Sequence, residues 1–228
     1  MATTSAAPEK QKRRIPGWLE LILLIATALG LSLLIKTFLV QMFFVPSESM
    51  EPLLVKDDRI LVQKISYWNG DVQRGDVIVF EDPGGWLGPG PELNALQSAL
   101  STVGLYPTGG HLVKRVIGIG GDEVACCDPE GRVTVNGVPL DETSYLRKGA
   151  APSERQFQVT VPEGRLWVMG DNRANSEDSR FHQRLEGNGT ISADDVVGKV
   201  WAIVWPLNRF EVVKTPETFE QPELDGSG

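Results

Sequence analysis

One long apolar segment lies near the start of the chain, and shorter apolar stretches follow it. No charged residue occurs between Leu21 and Ile35. A helix over residues 18–36 would rise about 28 Å at about 1.5 Å per residue. That length matches a hydrocarbon core of about 30 Å, so the pattern predicts a transmembrane helix at residues 18–36.

A basic cluster precedes this segment and consists of Lys10, Lys12, Arg13 and Arg14. Basic residues before a membrane segment favour a cytoplasmic N-terminus, so residues 1–17 are predicted to form a cytoplasmic arm. A cleaved secretory signal is the alternative, with a shorter apolar region and a small-residue cleavage site. Apolar residues continue past Lys36 and no Ala-x-Ala pattern follows. We therefore predict a retained anchor, with the rest of the chain outside the cytoplasm.

Beyond Leu54 the pattern changes to short runs of β-branched and aromatic residues. Glycine, proline, asparagine and aspartate separate these runs, which is typical of strands. The predicted strands are residues 59–65, 76–82, 111–119, 132–140, 157–161, 165–169 and 196–205. Asn136-Gly137 is a two-residue hairpin signal. Few helical patterns intervene, so the predicted fold class is mainly β, with packed or coiled antiparallel sheets.

The β-rich region is predicted to form one extracytoplasmic domain at residues 37–215. Roughly 180 residues follow the anchor, which is enough for one domain with a core. Residues 84–110 have glycine and proline at their ends and leucines at helical spacing, which predicts an insertion with a short amphipathic helix. We expect its apolar stripe to pack on the domain, with membrane or partner contact as the alternative. Residues 216–228 are polar and predicted to be disordered.

Composition excludes several functional classes. The chain has 22 basic and 30 acidic residues and a net charge of -8, which argues against nucleic-acid binding. Two adjacent cysteines, Cys126 and Cys127, and two histidines, His111 and His182, show no metal-ligand spacing. Neighbouring cysteine side chains tend to point apart. We interpret the cysteines as small, partly buried side chains of a strand rather than a redox site.

A stiff, hydroxyl-rich corner follows the apolar segment, where Pro46 and Pro52 enclose Ser47 and Ser49. An exposed serine usually only caps or solvates a turn. A nucleophilic serine needs a base that takes its proton. Neither histidine of the chain has a flanking carboxylate of the kind found in a catalytic triad.

Lys114 is the other candidate base. It lies in an otherwise apolar predicted strand, where Leu112 and Val116 share its face. Lost solvation lowers the pKa of a lysine, and a fall from about 10.4 to about 8 corresponds to about 3.3 kcal/mol. A partly neutral amine near pH 8 can act as a general base. The alternative is a lysine that extends into solvent at a sheet edge, and the strand pattern alone favours that alternative.

Four sequence segments favour Lys114 as a general base over a lysine exposed to solvent. PSESMEPLL, RGDVIVF, KRVIGIGGD and GDNRANSEDSR occur in this order after the apolar segment. Together they resemble the ordered sequence boxes of the type I (leader) signal peptidases, the membrane-bound Ser/Lys endopeptidases. The resemblance covers the anchor and most of residues 46–206. It implies a largely β catalytic domain, with a smaller β extension in many members.

The resemblance also implies roles for individual residues. Ser49 corresponds to the acylated nucleophile and Lys114 to its general base. Ser47 corresponds to the hydroxyl that helps the Ser49 backbone N–H to form the oxyanion hole.

Three further residues correspond to the support of the site. Ser176 matches the serine that hydrogen-bonds and positions the lysine, and Asp178 and Arg180 match an ion pair. Two departures concern other positions. Residues 52–54 read PLL where many members have Pro-Thr-Leu, and the 84–110 insertion lengthens the stretch between two boxes.

The function implied by the resemblance is removal of N-terminal signal peptides from secretory preproteins, by cleavage after small residues. The enzyme would lie in the plasma membrane as a single-pass protein. It would need no metal and no organic cofactor, and its partners would be preproteins, membrane phospholipid and the protein export machinery.

Two alternatives differ in class. A self-cleaving repressor-type Ser/Lys peptidase is soluble, so the anchor argues against it. A catalytically silent, membrane-tethered β domain that binds exported proteins is disfavoured by the joint presence of Ser49, Lys114 and Ser176.

Overall fold

The computed structural model describes residues 16–64, 67, 71–88 and 110–225, without the side chains of residues 33–38. The chain divides into two compact units, Met1–Phe38 and Leu39–Gly228. Most of the predicted basic arm and most of the 84–110 insertion, with its predicted helix, lie outside the described residues.

The first unit contains helix α1, Gly17–Phe38. The Pro16 carbonyl accepts hydrogen bonds from the backbone N–H groups of Leu19 and Glu20, at 2.9 and 3.1 Å, which satisfies two donors of the first turn. The predicted segment 18–36 is therefore helical. Across the part of the chain that the structure describes, no helix combines the length and the apolar character that crossing a membrane requires.

The second unit is mainly β, as predicted. Its described residues form strands β1 (Val40–Phe44), β2 (Arg59–Gln63), β3 (Val77–Glu81), β4 (His111–Gly118), β5 (Glu123–Cys126), β6 (Val133–Val135), β7 (Val138–Pro139), β8 (Phe157–Thr160), β9 (Arg165–Met169), β10 (Ile191–Ser192), β11 (Val196–Trp205) and β12 (Glu211–Val212). Short 3-10 helices cover Arg173–Asn175, Ala193–Asp195, Leu207–Arg209, Glu217–Phe219 and Pro222–Asp225.

The strands form two antiparallel sheets. The larger has the order β1-β2-β11-β3-β4-β9-β10, and β12 pairs with β11; the smaller has the order β7-β6-β5-β8. The smaller sheet matches the expected β extension. Asn136 and Gly137 have φ of 53° and 78°, as a two-residue type I′ turn requires, and Val135 pairs with Val138 across it. The predicted hairpin is confirmed.

Strand β4 lies inside the larger sheet, which fixes the surroundings of Lys114. Lys114 pairs with Ile78 of β3, and the next residue, Arg115, pairs with Met169 of β9. Strands on both sides of β4 keep its second half away from solvent. The interpretation of Lys114 as a residue at a sheet edge is therefore wrong.

The serine corner is anchored by apolar residues that follow the serines. Met50 and Leu54 are buried in a cluster with Ile60 and Ile203 of the larger sheet. Burial of each such side chain stabilises the fold by about 1.5–3 kcal/mol. With Met50 turned inward, the side chains of Ser47 and Ser49 stay at the surface of the unit.

The C-terminal residues correct the prediction of a disordered tail at 216–228. Two 3-10 helices occupy this region up to Asp225. Phe219 and Leu224 are buried in the core beside the smaller sheet, and the Phe219 ring lies 5.9 Å from that of Tyr145. Two separated apolar residues therefore attach a polar segment to the core.

The cysteines differ from the expectation of two independent side chains. Cys126 is buried at the end of β5, and its sulfur is bonded to that of Cys127. The peptide bond between them is cis.

Candidate active site

Local turns within the serine corner bring the side chains of Ser47 and Ser49 close together. The Glu48 carbonyl accepts the Glu51 N–H at 3.1 Å, and the Met50 carbonyl accepts the Leu54 N–H at 3.0 Å. The Oγ atoms of Ser47 and Ser49 are 3.3 Å apart.

Lys114 reaches the second of these serines. Its Nζ donates a hydrogen bond to Ser49 Oγ at 2.8 Å. The two residues are 65 positions apart in sequence, so the contact depends on the tertiary fold. A hydroxyl in contact with an amine is the arrangement that proton abstraction from a nucleophile needs.

The protonation of Lys114 is shifted by its surroundings. The side chain is only 3% exposed. Burial lowers the pKa of Lys114 from 10.5 to about 8, while the charge of Asp178 acts in the opposite direction. Desolvation lowers the pKa of Lys114 by more than the charge of Asp178 raises it, because no carboxylate of the described residues forms an ion pair with the amine.

Asp178 and Arg180 form a buried ion pair close to the lysine. Arg180 Nε and Nη2 donate to the two carboxylate oxygens of Asp178, each at 2.8 Å. Burial raises the pKa of Asp178, but the Arg180 guanidinium and the Gly170 N–H hold it below its usual value. Asp178 therefore remains a carboxylate whose field favours a protonated Lys114.

Ser176 occupies the same region but makes a different contact from the expected one. Its Oγ is buried and has no hydrogen-bond partner among the described residues, so the expected bond to Lys114 is not formed. Ser176 lies against Gly170, where an added Cβ would clash with Ser176 Oγ and with the Ser49 carbonyl oxygen. Gly170 is thus a point of close approach between the Ser176 and Ser49 segments.

Asn172 contacts the corner directly, and its role was not predicted. Its backbone N–H donates to the Ser49 carbonyl at 3.0 Å. Its side-chain Nδ2 donates to the Glu48 carbonyl, also at 3.0 Å. The segment GDNRANSEDSR contains this asparagine, but nothing in its local sequence indicates a contact with a loop more than a hundred residues away.

Two further buried ion pairs flank Asn172. Arg115 donates to both oxygens of Asp171, at 2.8 and 2.6 Å, and Arg173 Nη1 donates to Glu142 at 2.9 Å. Removal of one partner from such a pair typically destabilises a fold by about 3–5 kcal/mol. These pairs hold the backbone on either side of Asn172.

The two histidines lie elsewhere. The His111 ring packs edge-on against Phe43 at 5.3 Å. The His182 ring stacks on Trp86 at 4.3 Å, and its Nδ1 lies 2.9 Å from the Asp178 carbonyl oxygen. In the described part of the chain, neither ring forms a hydrogen bond with a serine of the corner.

Comparison with known proteins decides the family. A family model described as signal peptidase, peptidase S26, matches residues 18–205. The chain is 38% identical over 243 residues to a probable signal peptidase I of Mycobacterium leprae, with 92% of this chain and 83% of that protein covered. It is 40% identical over 223 residues to the signal peptidase I of Mycobacterium tuberculosis, with 86% and 75% covered.

This chain belongs to the signal peptidase family. The family resemblance predicted from the four sequence segments is confirmed. A more distant relative, a probable signal peptidase I-2 of Synechocystis, is 33% identical over 217 residues, with 91% of this chain and 87% of that protein covered. The part of the chain matched to the signal peptidase family contains the corner, Lys114, Asn172 and the Asp178–Arg180 pair.

Proposed function

We propose that this chain removes N-terminal signal peptides from exported preproteins, with Ser49 as nucleophile and Lys114 as general base. Membership of the signal peptidase family supplies the reaction class. The observation that carries the residue roles is the 2.8 Å contact between Lys114 Nζ and Ser49 Oγ. With a pKa of about 8, about half of the Lys114 amines are neutral at pH 8.

Acylation begins when the neutral amine of Lys114 takes the proton of the Ser49 hydroxyl. Ser49 Oγ forms a bond with the scissile carbonyl carbon, and the carbonyl electron pair moves to its oxygen. When the C–N bond breaks, Lys114 gives its proton to the leaving amine. The carboxylate of Asp178 stabilises the ammonium form of Lys114 between the two transfers.

Stabilisation of the tetrahedral oxyanion falls to the Ser49 backbone N–H and the Ser47 hydroxyl. The Ser47 Oγ is 3.3 Å from the Ser49 Oγ, and this proximity supports the Ser47 hydroxyl as the second donor. A preorganised donor of this kind lowers the barrier by about 3 kcal/mol.

Deacylation uses the same groups in reverse. Lys114, neutral again after it protonates the leaving amine, takes a proton from a water molecule that attacks the ester carbonyl. Collapse of the second tetrahedral species releases the signal peptide as a carboxylic acid, which loses its proton to solvent, and Lys114 returns the proton it took from water to Ser49 Oγ. Lys114 therefore carries the proton in both halves of the cycle.

The helix α1 serves as a single membrane anchor, with a cytoplasmic N-terminus and the second unit outside. The uncharged run from Leu21 to Ile35 and the basic cluster before it support this topology. In the second unit, large apolar side chains are exposed on β1, on β11 and in the turn after β11, with β2 between the two strands: Met42, Phe44, Trp201, Trp205, Leu207 and Phe210. Phe44 and Trp205 both pair with Arg59, so they share one face of the sheet.

An exposed apolar face of this kind fits a membrane surface, where tryptophan side chains are favoured. The anchor and the face support contact with phospholipid and access to membrane-bound preproteins. Protease added to intact spheroplasts should digest the second unit. Full protection of that unit would contradict the proposed topology.

Cleavage of a purified preprotein is the direct test of the function. The intact protein should release the mature chain after a small residue, and Ser49→Ala and Lys114→Ala should show no turnover while they remain folded. A normal cleavage rate for Ser49→Ala would overturn the assignment of the nucleophile.

A further inference from the structure

The peptide group between Glu48 and Ser49 has an unusual set of contacts. Its carbonyl oxygen accepts two hydrogen bonds, from the Glu51 N–H at 3.1 Å and from Asn172 Nδ2 at 3.0 Å. Its N–H, which belongs to Ser49, donates to no acceptor among the described residues. One end of the group is therefore fully engaged, and the other is available to a substrate.

Planarity links the two ends. The Glu48–Ser49 peptide bond is trans, and the C=O and N–H of a trans peptide point in opposite directions because the group is planar. A donor that fixes the direction of the Glu48 carbonyl consequently fixes the direction of the Ser49 N–H. Hydrogen bonds to the carbonyl also polarise the group and strengthen the N–H as a donor.

Asn172 is held in a way that suits this task. Its own N–H donates to the Ser49 carbonyl, so Asn172 contacts the peptide groups on both sides of the Ser49 Cα. The adjacent residues Asp171 and Arg173 are fixed by buried ion pairs with Arg115 and Glu142. Asn172 therefore connects the backbone of Ser49 to a segment that buried ion pairs hold rigid.

We infer that Asn172 is a positioning residue that aims the Ser49 N–H at the developing oxyanion through its hydrogen bond to the Glu48 carbonyl. This inference rests on the proposed function, in which Ser49 is the nucleophile and its N–H is an oxyanion donor. Asn172 itself does not touch the reacting atoms. Its effect should appear in the transition state and be absent from substrate binding.

Asn172→Asp and Asn172→Ala test the inference, because aspartate keeps the size without the amide donor and alanine removes the side chain without adding a charge. Both keep the backbone N–H that bonds to the Ser49 carbonyl. Asn175→Ala is the matched control. Asn175 lies at the end of the 3-10 helix that Asn172 precedes, but its side chain donates to the carboxylate of Glu48 at 3.4 Å and not to the peptide group.

Two measurements distinguish positioning from general support. The first is kcat and KM for a signal-peptide substrate, and the second is the affinity for a peptide aldehyde, whose adduct with Ser49 places an oxyanion in the same position. We expect kcat and aldehyde affinity to fall together by about 10- to 100-fold in both Asn172 variants, since a misdirected donor loses part of its effect. KM should change less than about twofold, and Asn175→Ala should behave as the wild type.

A wild-type kcat in either folded Asn172 variant would overturn the inference, as would a kcat loss with unchanged aldehyde affinity. An equal rise in KM would also overturn it, because Asn172 would then act in substrate binding. Failure of the proposed function would look different. In that case Ser49→Ala would cleave and the aldehyde would not bind the wild-type protein.

Discussion

Replacement of Lys114 by methionine should remove activity and stabilise the fold at neutral pH. Methionine has a similar length and no charge, so it fills the same buried position without the desolvation that lowers the pKa of Lys114. The pKa falls from 10.5 to about 8, a difference of about 2.5, and each pKa unit corresponds to about 1.36 kcal/mol. The folded state is therefore less stable by about 3 kcal/mol when Lys114 is protonated.

The sign of the pH dependence follows from proton binding. Between pH 8 and 10.5 the unfolded chain holds a proton on Lys114 that the folded chain has released, so the wild-type free energy of unfolding rises with pH in this window. Below about pH 8 both states are protonated and the full destabilisation remains. The stability advantage of Lys114→Met should therefore be about 3 kcal/mol at pH 7 and should disappear above pH 10.5.

Denaturant unfolding of the full chain in detergent, for both proteins and at several pH values, measures this difference. Other groups titrate in the same range, but they are common to both proteins and cancel in the comparison. A difference in unfolding free energy that does not change between pH 7 and 10.5 would contradict the proposed desolvation of Lys114. A Lys114→Met variant that is less stable than the wild type at pH 7 would refute it as well.

Three other predictions concern the reaction. The wild-type kcat/KM should rise about tenfold per pH unit up to a pKa near 8 and then level off. Lys114→Arg should be inactive, because guanidinium does not deprotonate in this range. Activity of Lys114→Arg would exclude a lysine base. Ser47→Ala should lower kcat by about 10²–10³-fold with little change in KM, and a wild-type kcat would place the second oxyanion donor elsewhere. Gly170→Ala should lower kcat/KM by about 10²-fold, because the new Cβ would displace Ser49. Gly88, which has no atom within 4 Å of an added Cβ, provides the control Gly88→Ala, and equal rates for the two variants would contradict the argument.

Local patterns were sufficient to predict much of the fold. Runs of β-branched residues marked β2, β3, β4, β8, β9 and β11, and Asn136-Gly137 marked the hairpin between β6 and β7. The short strands β5, β10 and β12 and the edge strand β1 were missed. Their pairing depends on neighbouring strands more than on a period of their own.

Local sequence patterns predict less of the candidate site than of the fold. Alternation along β4 places Lys114 on an apolar face, but its burial comes from β3 and β9, which the strand itself does not reveal. The contact of Asn172 with Glu48 spans 124 positions. The burial of Phe219 and Leu224 likewise depends on packing against residues of the smaller sheet.

The strand order of the larger sheet also affects the order in which a newly made chain can assemble the candidate site. Strand β2, next to the serine corner, pairs with β11, and Arg209 donates to the Leu53 carbonyl across 156 positions. Such distant pairings form slowly, since a long loop must close before they stabilise the chain. A chain that is still emerging lacks both this support and Asn172. On the proposed assignment of Ser49 as nucleophile, we expect proteolytic activity to begin only when synthesis and folding of the domain are nearly complete.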